Sequence, residues 1–368
     1  IDFDGDVDVL GSARFDDDVT WWENDGSESF TENTIDGNFD HAYSVYAIDI
    51  DFDGDVDVLG SARFDDEVTW WENDGSESFT ENTIDGNFDG AETIYAADID
   101  GDGDIDILGA SNIDDDIVWW ENTATFSFDP TWTASDITTS ASGAMSVFAA
   151  DIDGDGDLDI ISASKLDDTI AWYENSGGPF WSASTITTSA DGAFSVFAAD
   201  MDNDGDMDVL SASDIDDTIA WYENDGAANP SWTASDIDTN ADNAKSVFAA
   251  DMDGDGDMDI LSASVNDNAI AWYENDGAAD PSWTAEDIAT SASGATSVFA
   301  ADMDNDGDMD IISASQNDNT RARYESVGPT DRTWTANDIA NNETGHTSCC
   351  PYRNYHDRDN KRGSARIG

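Results

Sequence analysis

A nine-residue acidic run recurs along this chain at a step of about fifty residues, and no other feature limits the possible fold so tightly. It reads Asp49-Ile50-Asp51-Phe52-Asp53-Gly54-Asp55-Val56-Asp57 and starts again at Asp98, Asp151, Asp200, Asp251 and Asp302. A truncated copy opens the chain with Asp2, Asp4, Gly5, Asp6 and Asp8. Successive starts from Asp49 are 49, 53, 49, 51 and 51 residues apart, and residues 1–40 match residues 50–89 except for Asp18 against Glu67. Small insertions between constant motifs are the mark of stacked structural units.

Each unit carries the same local signals. In residues 195–237 a short apolar run, Ser195–Ala199, leads into the acidic loop, and Met207–Ser213 follows it. A polar turn at Asp214–Asp217, an aromatic run Ile219–Glu223, a turn at Asn224-Asp225-Gly226 and a last run Ser231–Ile237 complete the unit. Four short runs bounded by turns predict four strands, and no stretch keeps a 3.6-residue apolar period. Runs such as Ile219-Ala220-Trp221-Tyr222 are apolar on both faces, as in blades packed against neighbours on either side. Seven four-stranded units predict an all-β, seven-bladed β-propeller of antiparallel blades, the first lacking a strand at its N-terminus. A nonapeptide β-helix has far too short a period. The expected repeats are 1–43, 44–92, 93–145, 146–194, 195–245, 246–296 and 297–345, forming one domain over 1–345, with a divergent basic segment at 346–368.

The acidic loop has the chemistry of a hard-cation site. Calcium takes six to eight oxygens in relaxed geometry, and Asp at positions 1, 3, 5, 7 and 9 with Gly at 6 offers carboxylates around a sharp turn. Positions 1, 3 and 5 are expected to use side chains and position 7 its carbonyl. The candidate metal residues are Asp2, Asp4, Asp6 and Asp8; Asp49, Asp51, Asp53, Asp55 and Asp57; Asp98, Asp100, Asp102, Asp104 and Asp106; Asp151, Asp153, Asp155, Asp157 and Asp159. They continue as Asp200, Asp202, Asp204, Asp206 and Asp208; Asp251, Asp253, Asp255, Asp257 and Asp259; Asp302, Asp304, Asp306, Asp308 and Asp310. About one Ca2+ per blade, up to seven, is expected. No helical pattern flanks the loop, which argues against an EF-hand, and zinc or copper would want His or Cys.

The chain holds 84 acidic and 12 basic residues, a net charge of −72, so nucleic acid and anionic membranes are improbable partners. No apolar run is long enough for a membrane-spanning helix. Cys349 and Cys350 are adjacent and form neither a zinc pattern nor a redox pattern. The first residue falls inside a motif that is longer elsewhere, so the chain reads as part of a longer, multidomain one.

With its preceding Ser195-Val196-Phe197-Ala198-Ala199-Asp200 run and following apolar strand, the loop resembles the FG-GAP/VCBS repeat of integrin alpha chains and secreted bacterial proteins. The resemblance covers about residues 1–345, and Ile270–Gly277 looks like the bacterial versions. It implies a propeller with calcium on one face, held by Asp49, Asp51, Asp53, Asp55 and Asp57 and their equivalents. Family members act in adhesion, as lectins, or as propeller modules of polysaccharide-active enzymes.

The last repeat departs from the pattern. Arg321 and Arg323 replace the apolar Ile270 and Trp272 of the preceding repeat, which predicts an exposed or poorly packed strand. Ser348–Tyr352 stands where the missing strand of blade one would be supplied, although Pro351 makes it a poor strand. The basic residues beyond it read as a tail or a sequence artefact.

The paired aromatics, such as Trp221-Tyr222, are expected in the inter-blade core. Trp132, Trp181, Trp232, Trp283 and Trp334, in the fourth run, are candidate exposed platforms for sugars. Asp167-Asp168 and Asp216-Asp217 are either solvated turns or ligand contacts. His41, His346 and His356 form no catalytic motif. A lyase would set a positive group or metal beside a substrate carboxylate, and the repeats are almost devoid of Lys and Arg. The expectation is therefore an extracellular or cell-surface binding or adhesion module for a glycan or protein, with calcium mainly structural. A polysaccharide-active enzyme and a structural surface component are the alternatives.

Overall fold

Short apolar runs between polar turns become strands, and among the described residues there are 28 of them and no helix. The computed structural model describes residues 1, 4–27, 29–124, 129–177, 180–326, 328, 333–341 and 344–352. Asp2 and residues 353–368 lie outside that set.

The strands, β1 to β28 in chain order, form seven four-stranded antiparallel sheets. In blade two, β4 (Ala42–Ile48), β5 (Asp57–Ala62), β6 (Glu67–Asn73) and β7 (Phe79–Asp85) run in order from the axis outwards. Blades three to seven repeat this order. Blade one takes β1 (Asp8–Ala13), β2 (Asp18–Asn24) and β3 (Phe30–Asp36) from the start of the chain and β28 (His346–Tyr352) from the end. Leu10 lies opposite Cys350 and Ser12 opposite Ser348. The pairing partner supplies the hydrogen bonds that hold this unpromising segment extended, and the ring closes. The architecture is a seven-bladed β-propeller.

The third strand of each blade carries the core. In blade five it spans Thr218–Asn224 and buries Ile219, Ala220, Trp221 and Tyr222 in succession, so both faces are covered. An aromatic ring of this kind removes ~150–250 Å² from water. At about 25 cal/mol per Å² that is ~4–6 kcal/mol per ring as an upper bound. Size matching is visible between strands. Gly60 and Gly109 lie under the Trp71 and Trp120 rings, leaving no room for a Cβ. Where the second aromatic is Tyr, Ser replaces Gly and meets the hydroxyl, as in Ser211–Tyr222 at 3.3 Å.

The seventh blade corrects the expectation of an exposed or loose strand. Arg321 and Arg323 are buried, at 0 % and 1 % exposure, in β26 (Thr320–Ser326), an interior strand. Arg321 lays its guanidinium 4.2 Å from the Trp22 ring centroid and donates to the Ser12 carbonyl at 2.7 Å, across the seam into blade one. Arg323 donates to Asp310 at 3.1 Å and to Asp304 at 2.9 Å. Charge is tolerated here because each guanidinium finds acceptors or an aromatic face.

The fourth-strand tryptophans are also corrected. Trp132, Trp181, Trp232, Trp283 and Trp334 are half-buried rather than exposed. Trp181 meets Trp119 edge-on at 6.0 Å, Trp283 meets Trp221 at 6.2 Å and Trp334 meets Trp272 at 6.2 Å, each pair joining adjacent blades.

Candidate metal loops and central pocket

In blades two to seven the acidic loop joins the innermost strand to the second, and in blade one the truncated copy leads into the second strand, β1, so the loops lie on one face of the ring. Their conformation is set by carboxylates folding back on the loop's own amides. In blade two Asp53 N–H donates to Asp51 Oδ1 at 3.1 Å, Gly54 N–H to Asp49 Oδ2 at 3.2 Å and Asp55 N–H to Asp53 Oδ1 at 2.9 Å. Gly54 sits at φ +100°, a conformation that L side chains rarely adopt. The same bonds recur in the loops that start at Asp151, Asp200, Asp251 and Asp302.

Positions 1, 3 and 5 converge in at least four loops. Carboxylate oxygens of Asp49, Asp51 and Asp53 lie within 4.8 Å of one another, and so do those of Asp98, Asp100 and Asp102, of Asp200, Asp202 and Asp204, and of Asp251, Asp253 and Asp255. In blade four Asp159 joins Asp151 and Asp153. Burial, then the neighbouring Asp51 and Asp53, push Asp49 up to about 6, and burial takes Asp51 to about 6. The Oδ1 atoms of Asp49, Asp98 and Asp151 are buried without a hydrogen-bond partner. A buried carboxylate oxygen left unbonded among like charges is costly, and a hard divalent cation is the partner this donor set fits.

Position 7 stands apart, and position 9, which joins the cluster in blade four, has a further role. The position 7 carboxylates of Asp55, Asp206 and Asp257 lie against the turn glycines Gly75, Gly226 and Gly277. The position 9 residues are buried. Asp57 accepts from Ile50 N–H at 3.0 Å and Asn73 N–H at 2.9 Å, and burial pushes it up to about 8. Asp106, Asp208 and Asp259 are pushed to about 7 and Asp159 to about 6 by the same cause. Position 9 is thus first a brace between the loop and the third strand. In blade seven Arg323 already engages Asp304 and Asp310. In blade one, Asp6 N–H donates to Asp4 Oδ1 at 2.9 Å and Asn24 N–H to Asp8 Oδ1 at 2.9 Å.

Sequence reasoning missed the residue beside this brace. The Asn that ends the third strand in blades one to six reads as a turn former, yet in blades one, four, five and six its amide crosses to the preceding blade. Asn224 Nδ2 donates to Ile152 O at 2.8 Å and to Met207 O at 2.9 Å, and its Oδ1 accepts from Gly226 N–H at 3.0 Å. Asn24, Asn175 and Asn275 reach Met303 O, Ile99 O and Met201 O in the same way. Ile152, Met303, Ile99 and Met201 are each the second residue of an acidic loop, so the pins link one loop to the next blade. Blade seven has Ser326 in this place. The Asp-rich turns on the opposite face also clip blades together: Asp168 accepts from Gly192 N–H at 3.1 Å and Asp217 from Asn243 N–H at 2.9 Å.

At that opposite face the axis opens into a cavity of about 740 Å³. Its floor is a collar of Tyr46, Tyr95, Phe148, Phe197, Phe248 and Phe299, with successive ring centroids 4.8–5.5 Å apart. Cys350 of β28 takes the seventh place.

The profile of the FG-GAP-like repeat matches six times, over residues 1–60, 53–109, 98–162, 153–211, 200–262 and 251–313. A search of curated proteins finds no significant match. Among solved structures, a protein from Lactobacillus plantarum superposes with a TM-score of 0.69 at 10 % identity, covering 95 % of this chain and 100 % of its own. A periplasmic gluconolactonase from Pseudomonas aeruginosa gives 0.62 at 11 % identity, covering 94 % and 98 %. A catalytically inactive virginiamycin B lyase from Staphylococcus aureus with quinupristin gives 0.55 at 11 % identity, covering 81 % and 83 %. At such identities the likeness is one of fold alone. The repeat matches, which run through residues 1–313, place this chain in the FG-GAP-like repeat family.

Proposed function

We propose that this propeller is a calcium-stabilised binding module of the extracellular or cell-surface kind, whose metal holds loops and blades in register while another face takes up a glycan or protein. The observation that carries the metal half is the buried, unpartnered Oδ1 of Asp49, Asp98 and Asp151 inside converging carboxylates. Asp49, Asp51 and Asp53 would hold the ion in blade two, and their equivalents elsewhere. Loops this rich in Asp and open to water suit the high calcium of extracellular fluids. Binding to the folded state alone stabilises it by RT ln(1 + [L]/Kd), about 1.4 kcal/mol per site at ten times Kd. Six such sites would contribute ~8 kcal/mol, or a melting shift of ~11 °C at ~0.7 kcal/mol per degree for a domain of this size.

Thermal unfolding with calcium and with a chelator, alongside a count of bound metal, tests this. About one ion per intact loop and a chelator-induced fall of many degrees are expected. A chain that binds no calcium and melts unchanged overturns the reading.

A second reading, catalysis in the cavity, is favoured by Glu92, which is buried behind the lining residues Arg63 and Tyr43. Burial pushes this carboxyl up to about 7, with Arg63 opposing, which suits proton exchange near neutrality. Two of the structural neighbours are named for a gluconolactonase and a lyase. Turnover of a sugar lactone or acidic polysaccharide by the parent chain, lost in Glu92→Gln, would establish it; no turnover by the parent discards it.

A further inference from the structure

The few basic residues of this acidic chain are not scattered. Of the 12 in the sequence, only Arg14, Arg63, Lys165 and Lys245 precede residue 321. They come from blades one, two, four and six, and all four line the central cavity. Arg14, Arg63 and Lys165 each follow the last residue of a second strand, whereas Lys245 is the second residue of an innermost strand.

They gather in two groups, each built on one buried acid. On one side Arg63 Nε stands 3.2 Å from Glu92 Oε1, the Asn112 amide donates to the same oxygen, and Arg14 is near enough to stabilise the Glu92 charge. On the other, Asp214 Oδ2 takes Lys165 Nζ at 2.5 Å and also Lys245 Nζ, while the Lys245 ammonium sits 3.8 Å over the Phe194 ring. Glu92 is 0 % exposed and Asp214 5 %. Glu92 also meets the Tyr43 hydroxyl, whereas Asp214 Oδ1 is buried with no hydrogen-bond partner, and the Nε of Arg14 has none either.

One base would neutralise each acid, yet each acid has two. Among the bases that line the cavity and the two acids behind them, positive charges exceed negative by two, inside a chain of net charge −72. A recess with low-dielectric walls focuses such a charge on whatever enters. The next residue in each of five blades is apolar and exposed at the rim: Phe15, Phe64, Ile113, Leu166 and Ile215. A rim of that kind marks a surface built for contact. The volume falls in the range of pockets that enclose small organic ligands.

We propose that the central cavity binds a small organic anion with an acidic group at each end, one for the Arg14–Arg63 side and one for the Lys165–Lys245 side, its body resting on the aromatic floor. This deepens the binding-module reading and rests on it. An acidic disaccharide with two carboxylates has the required size and charge.

The test is calorimetric titration of the calcium-loaded chain with digalacturonate, galacturonate, neutral cellobiose and inorganic sulfate. Digalacturonate is expected to bind most tightly and to weaken as salt is raised. The double variant Arg14→Gln/Lys165→Gln leaves each buried acid one base, so the fold is kept and only the excess charge is lost. It is expected to lose at least about a hundredfold in affinity, about tenfold per base, with its melting temperature unchanged. Arg14→Gln and Lys165→Gln alone are each expected to lose about tenfold. Equal binding by the folded double variant, sulfate or cellobiose binding as tightly as digalacturonate, or no uptake of any of the four probes by the parent would each overturn the proposal. A melting point indifferent to chelator would sink the metal reading alone, because this titration is read against the four bases.

Discussion

Replacing Asn224 by Ala should loosen the joint between blades four and five, because this side chain bonds three backbone groups. It is 1 % exposed, so water cannot take its place. The variant loses the bonds to Ile152 O at 2.8 Å, Met207 O at 2.9 Å and from Gly226 N–H at 3.0 Å. At about 1 kcal/mol for each buried bond, the loss is ~3 kcal/mol. The entropy of unfolding is ~2.1 cal/mol/K per residue, or ~0.7 kcal/mol/K over the folded part of this chain, so the melting temperature should fall by ~4 °C. Calorimetry or tryptophan fluorescence in saturating calcium measures it. Asn224→Asp keeps the shape and the acceptor but loses both donors, and should fall at least as far. Ser326→Asn is the complementary change, placing an amide where blade seven lacks one, and should raise the melting temperature by ~1–2 °C. If Asn224→Ala and Asn224→Asp both melted within about 1 °C of the parent, the pins would carry no load and the reasoning would fail.

Three further outcomes are expected. The chelated protein should lose stability as pH rises from about 4 to about 8, because the position 9 carboxyls rise from an ordinary 3.8 to values of about 6 to 8, so the folded state binds more protons than the unfolded one; calcium should flatten this slope, as melting curves across pH would record. Arg323→Trp frees Asp304 and Asp310 and should raise the metal count by one ion, read by equilibrium dialysis. Phe52 sits at φ +58° with its ring half exposed, while Asn203 holds the same loop position at φ +61°, so Phe52→Asn should stabilise by ~1 kcal/mol, or ~1–2 °C in melting temperature.

The parts legible in the sequence were those carried by local chemistry. Turn glycines, apolar runs and a fixed period define a four-stranded unit, and alternate Asp residues around Gly54 mark where carboxylates converge. What escaped depends on partners far away in the chain. Asn224 looks like a turn residue until Ile152, 72 positions earlier, is brought against it. Arg323 looks like a ruined core position because the acids that meet it, Asp304 and Asp310, also read as metal ligands. Arg14, Arg63, Lys165 and Lys245 look like isolated charges in an acidic chain, and only the closed ring sets them around one opening. Asp168 and Asp217 look solvated, because the amides they clip belong to the next blade.

Closure of blade one by β28 has a consequence for how the chain reaches its native state. Leu10 pairs with Cys350, so this contact draws together segments separated by nearly the whole domain. Bringing the ends of a chain that long together carries about 5 kcal/mol of lost loop entropy if nothing between them is ordered. Blades two to seven can form from neighbouring segments and shorten that search one unit at a time. The ring should therefore be completed last, with the slot beside β1 open until then, and the slowest step of refolding should be the arrival of one strand.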